Sequence, residues 1–201
     1  MSHPPDVPPP GASHPADDAG VHRPAPRPLR RGPEGEVQVF AADEQNVAPV
    51  DVERWAVLAR DVLVSEGVRG EAELSLLFVD EAAIAELNKR FMEVDGPTDV
   101  LAFPIDDPAV AGRWPDAGTA GPDRDEPEPG DLPLLLGDVV VCPAVARRQA
   151  PAHAGSYDDE LALLVVHGVL HVLGHDHAEP DETAVMQARE RELLDRFHHR
   201  R

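Results

Sequence analysis

The 201-residue chain holds one cysteine, Cys142, which excludes an internal disulfide and a cysteine-based zinc site and fits a reducing compartment. Positive charge is also scarce, with 18 Lys and Arg against 38 Asp and Glu and a net charge of −20. Nonspecific nucleic-acid affinity comes from neutralising phosphates, so free nucleic acid is expected to bind weakly. Only a local field at a cleft, or the charge of a metal, would offset that balance. No apolar run reaches the length of a membrane span. The opening residues, MSHPPDVPPP, show no basic segment followed by an apolar one, so no secretory signal is visible and a cytoplasmic location without membrane contact is expected.

What is abundant is proline, at 22 residues, together with 15 glycines, which allows one compact domain with disordered extensions. Residues 1–34 are rich in Pro and Ala and poor in large apolar side chains, so a disordered tail is expected there. His3, His14 and His22 within it read as solvated rather than as metal ligands. A single domain then covers residues 35–201. Residues 106–131 interrupt it with Pro, Gly and acidic residues that outnumber Arg113 and Arg124, and are expected to be a disordered acidic insert.

Between these segments strands and helices alternate. Residues 36–41 alternate like a first strand, and Val52, Trp55, Leu58, Ala59, Val62 and Leu63 recur at helical spacing up to Gly67. Trp55 reads as core. Residues 72–80 form an apolar strand expected to be buried on both faces, and Asp80 can cap the helix that follows. Residues 98–104 and 134–143 read as further strands, and 144–150 as a helix whose Arg147 and Arg148 read as a solvated face. An amphipathic helix at 181–197 ends in a charged tail, in which His198 and His199 are not expected to be ligands. Asn88, near the end of its helix, is either a structural hydrogen-bonding residue or a cleft residue. The pattern implies a mixed, mostly parallel four-stranded sheet packed with about five helices.

The stretch 161–177, LALLVVHGVLHVLGHDH, carries no charge before its last residues and is apolar all round the helical wheel, so a buried central helix is expected. His167 and His171, four apart, share one face. Gly174 permits the chain to reverse, which can bring His177 to the same point. Three neutral imidazoles with an open position are the ligand set of a catalytic zinc site, expected to hold one Zn2+ per chain. His175 points elsewhere by spacing. Asp176 either orients a ligand or caps the turn. The same frame with Glu in second place is the metzincin protease signature; here that place is Gly168, so a protease of that class would lack its base.

HGVLHVLGHDH resembles the HGxLHLxGxDH signature of the YbeY family of bacterial metal-dependent endoribonucleases and rRNA maturation factors. LNKRFMEVDGPTDVLAFP (87–104), LGDVVVCPAVARRQA (136–150) and DHAEPDE (176–182) are similar to that family in the same order. The resemblance runs from about residue 35 to the end. It implies an α+β fold and a single-strand endoribonuclease acting through metal-activated water in rRNA 3′-end maturation and ribosome quality control. Ribosomal RNA, ribosomal subunits and ribosome-associated proteins would be its partners. It also makes Thr98 and Asp99, beside the cleft, candidates for substrate contact or for support of the ligands. Met92 stands where many members carry Arg, which would leave phosphate contact to Arg90 or Lys89; Ala102 stands where many have Ser. Two other readings remain: a noncatalytic ribosome-assembly factor with a structural metal, and a metallohydrolase of another substrate. No general base is identifiable.

Overall fold

The computed structural model describes residues 36–105, 133–175 and 180–199. The tail expected at 1–34 and the insert expected at 106–131 lie outside these described residues. Four strands, β1 (Val37–Asp43), β2 (Ala72–Phe78), β3 (Val100–Pro104) and β4 (Leu134–Val141), form one sheet in the order β1-β2-β4-β3. β1 with β2 and β2 with β4 run parallel, and β3 with β4 antiparallel, so the sheet is mixed and mostly parallel. Five α-helices accompany it among the described residues: α1 (Val52–Ser65), α2 (Glu81–Leu87), α3 (Pro143–Gln149), α4 (Tyr157–Val172) and α5 (Pro180–Phe197), the last packed on α4 and α1. The fold is therefore α+β. No helix among the described residues is long and apolar enough to cross a membrane.

Local chemistry starts the helices. Asp51, Asp80 and Ser156 accept from the backbone N–H of Arg54, Ala83 and Asp159, satisfying first-turn donors that have no partner inside a helix. Pro143 opens α3, where its missing N–H costs nothing. In β2, Ala72, Leu74, Leu76 and Phe78 are buried while Glu73, Ser75 and Leu77 are half-buried. Burial on both faces was expected, but α2 and α3 cover only part of the second face. The main core joins β2 and β4 to α1, α4 and α5, with Trp55, Phe78, Leu161 and Leu170 among its largest members. A smaller one places Ile84, Leu101, Val140 and Val145 on the other side.

α4 begins at Tyr157, four residues before the uncharged run. Its first turn hides a carboxylate: Glu160 is 0% exposed, 2.9 Å from His153 Nδ1, and accepts from Ala154 N–H. Further along, Gly168 lets the helix lie directly on the sheet. A Cβ there would sit 2.5 Å from Val139 Cγ1 and 3.4 Å from Val100 Cγ2. Val139 is fully buried and stiff about χ1, so it cannot swing aside.

Two predictions follow from α4. Gly168→Ala gains about 1 kcal/mol of helix propensity but overpacks at a cost of about 1–3 kcal/mol, so net destabilisation in urea is expected. Combined with Val139→Ala, it should cost less than the sum of the two single losses. The hydrogen bond and charge of Glu160 raise the pKa of His153. A histidine raised on folding stabilises fully below its unfolded value of about 6.5 and loses that contribution as pH climbs through the raised value. Thermal midpoints measured against pH should therefore show a decline above about pH 6.5 that His153→Ala flattens.

Candidate metal centre and its cleft

One helical turn sets His167 and His171 edge to face, with ring centroids 4.5 Å apart and their Nε2 atoms 3.1 Å apart. The buried Glu190 of α5 lies 2.7 Å from His167 Nδ1. With Nδ1–H donating to that carboxylate, the Nε2 lone pair of His167 is directed toward His171. Two ligands of a tetrahedral zinc stand about 3.3 Å apart when each is about 2.0 Å from the ion. The pair therefore fits a shared divalent cation, and the carboxylate behind His167 sets the tautomer such a ligand needs. At the end of α4 Gly174 adopts φ +87°, its N–H donating to His171 O and that of His175 to Leu170 O, which turns the chain back. His177 and Asp176 lie outside the described residues. His175 faces Glu66, with Nε2 3.6 Å from Oε2, and Glu66 is in turn paired with Arg189 at 2.7 Å.

The two imidazoles open on a cleft of about 380 Å³ walled by Met92, Val100, Ala102 and Pro104, with His175 at its rim. Met92 ends a π-helical turn, Asn88–Met92, and is followed by Glu93 in the left-handed region at φ 58°. This segment contains the exposed Phe91, Met92 and Val94. Of the cations nearby, Arg90 lies over the Phe91 ring at 5.2 Å and Lys89 pairs with Asp95 at 2.8 Å. Asn88 is buried and its side-chain amide donates to Gly96 O, so it braces the loop. Thr98 and Asp99 close the entry to β3: the Thr98 hydroxyl donates to Asp99 Oδ1, which also accepts from Val100 N–H, while Asp99 O accepts from Cys142 N–H. The strand starts at Val100 rather than Thr98 for that reason. Neither residue lines the cleft. Arg148 pairs with Glu81, and Arg147 donates to Val47 O.

Glu190 went unnoticed in the sequence. The signal was present: Met186, Glu190 and Leu193 fall on one face of α5 and are all buried, and a carboxylate on an apolar stripe demands a partner. The expected charged tail also needs correcting. Both His198 and His199 donate backbone N–H to Leu194 O, and the His198 side chain is only 7% exposed and 2.8 Å from Asp159. Donor atoms of Asp159, His198 and His199 all lie within 4.8 Å of one another, a possible metal-ligand cluster.

Comparison with known proteins places the chain by family. Residues 40–198 match the family model described as endoribonuclease YbeY, and the chain belongs to that family. Proteins named endoribonuclease YbeY are 47% identical in Mycolicibacterium vanbaalenii, over 76% of this chain and 77% of that one, and 47% identical in Frankia casuarinae, over 78% and 72%. The Mycobacterium bovis protein of the same name is 45% identical over 80% and 84%.

Removing the charge behind His167 tests the arrangement. Glu190→Gln is expected to weaken zinc binding at the His167–His171 pair by about 10- to 100-fold, as loss of such a supporting carboxylate typically does; competition with a chromophoric chelator measures it.

Proposed function

We propose that the chain is a zinc-dependent, single-strand endoribonuclease acting in rRNA 3′-end maturation and ribosome quality control, in the cytoplasm and on ribosomal RNA within ribosomal subunits. The observation that carries this reading is the pair of Nε2 atoms 3.1 Å apart at the floor of an open cleft, with Glu190 behind one of them. His167, His171 and His177 would hold one zinc ion per chain. Such an ion supplies a Lewis acid for a phosphoryl oxygen and acidifies water, the two needs of phosphodiester hydrolysis.

The chain's own residues do the rest. Glu190 keeps the proton on Nδ1 of His167 and the ring fixed. Met92, Val100, Ala102 and Pro104 offer an apolar wall that an unpaired nucleotide can cover, whereas a duplex hides its bases inside the stack. Arg90, exposed on the turn that carries Met92, is a cation within the described residues that phosphate can meet. Gly168 weighs against a protease reading: the carboxylate that such chemistry needs has no room between α4 and Val139. An open cleft over the imidazoles favours catalysis over a structural metal, whose site is closed by protein ligands.

Metal content should be measured together with cleavage of a single-stranded fragment from the 3′ end of ribosomal RNA. Wild type is expected to carry metal and cut, and His171→Ala to lose the metal held at the His167–His171 pair together with cleavage; metal at that pair without cleavage, even with ribosomal subunits present, would favour the assembly-factor reading. Met92→Arg adds a cation to the cleft wall. It is expected to tighten RNA binding and steepen its salt dependence by about one unit of log–log slope, read by fluorescence anisotropy across a salt series.

A further inference from the structure

A second set of metal-type donors meets where α5 ends against the first turn of α4. We propose that Asp159, His198 and His199 form a site for a borderline divalent cation such as zinc, separate from the His167–His171 pair. Asp159 lies eight residues before His167 on the same helix, about 12 Å along its axis, so one ion cannot serve both places.

The geometry is close to that of a chelate. Asp159 Oδ1 is 2.8 Å from His198 Nε2 and 3.6 Å from His199 Nε2, bracketing the spacing of about 3.0–3.4 Å between ligands of one zinc ion. The remaining separation is no more than 4.8 Å, and the His199 side chain is half exposed.

The His199 ring has a carboxylate on its far side as well. His199 Nδ1 is 3.2 Å from Asp195 Oδ1. With the ring proton on that side, the His199 Nε2 lone pair faces the Asp159 carboxylate at 3.6 Å, a separation that a shared cation would close. Asp195 thus stands to His199 as Glu190 stands to His167, a carboxylate supporting the far nitrogen of a ligand. Arg54 can only donate to His198 Nδ1, 3.5 Å away, which leaves the ring proton of His198 on Nε2 and donating to Asp159 Oδ1, so a cation binds here by displacing that proton; Asp158 engages the guanidinium at 2.7 Å and offsets its charge. The backbone is already fixed: Leu194 O accepts from both histidine N–H groups at 2.9 and 3.0 Å, and the Asp159 N–H donates to Ser156 Oγ.

An ion here would tie the end of α5 to the start of α4. Since α5 carries Glu190, it would brace the helix pair that aligns His167, without touching the cleft.

The test is zinc stoichiometry on the full chain, with thermal midpoints beside it. The His167→Ala/His171→Ala variant is expected to keep about one equivalent and to show a rise in midpoint on zinc addition. Adding His199→Ala should abolish both while leaving the circular dichroism unchanged, since that ring is half exposed. The proposal is overturned by a double variant that binds no zinc, or by zinc that survives both His199→Ala and Asp159→Asn, as it would if tail histidines held it. Should the double variant not fold, the native chain serves: His199→Ala should remove one equivalent of two, and a count that does not change overturns the site. RNA cleavage enters none of these readouts, so the result is independent of the proposed activity.

Discussion

The contact on which most of this structure depends is that between Gly168 of α4 and Val139 of β4. Because the helix carries no side chain at that point, its backbone settles onto the sheet, and Leu161, Val165, Val169 and Leu170 reach full burial around it. A helix held this closely has little freedom to roll. His167 and His171, which share one face of it, open on the cleft beside β3. The residue that seals the core also orients the site.

A second theme runs along the same helix. Four imidazole–carboxylate pairs meet it among the described residues: His153 with Glu160, His198 and His199 with Asp159, and His167 with Glu190. Each ties a neighbouring segment to α4: the turn before it, the end of α5, or the middle of α5. Glu160 and Glu190 are buried, where an unpaired charge would be costly, so their pairs persist because breaking either would strand the acid, whereas Asp159 is partly exposed. The resulting docking of α5 is polar at points where a purely apolar face would allow it to slide.

The cleft itself departs from the usual electrostatics of a nucleic-acid protein. The chain carries −20 overall, and the wall beside the imidazoles is apolar, with Met92 in a place where a cation would have been unsurprising. A π-helical turn followed by a left-handed Glu93 holds this wall outward. Backbone features of that kind cost energy and concentrate at functional segments. Selectivity on such a surface would come from unpaired bases more than from backbone phosphate.

The sequence by itself determined the elements, the central helix and the histidine pair. Periodicity, caps and the glycine stop are local, and an i, i+4 spacing on a helix settles a shared face whatever surrounds it. The first turn of α4 was less legible because its acidic residues break the uncharged pattern, though Glu160 is buried. Only the tertiary structure decided which carboxylate stands behind His167: Glu190 is 23 residues away and reaches it through helix packing, not through spacing. The same holds for His198 and His199, whose place beside Asp159 follows from where α5 ends against α4. It holds also for Thr98 and Asp99, which close a strand entry instead of lining the cleft, because their hydrogen bonds are used by the backbone around them.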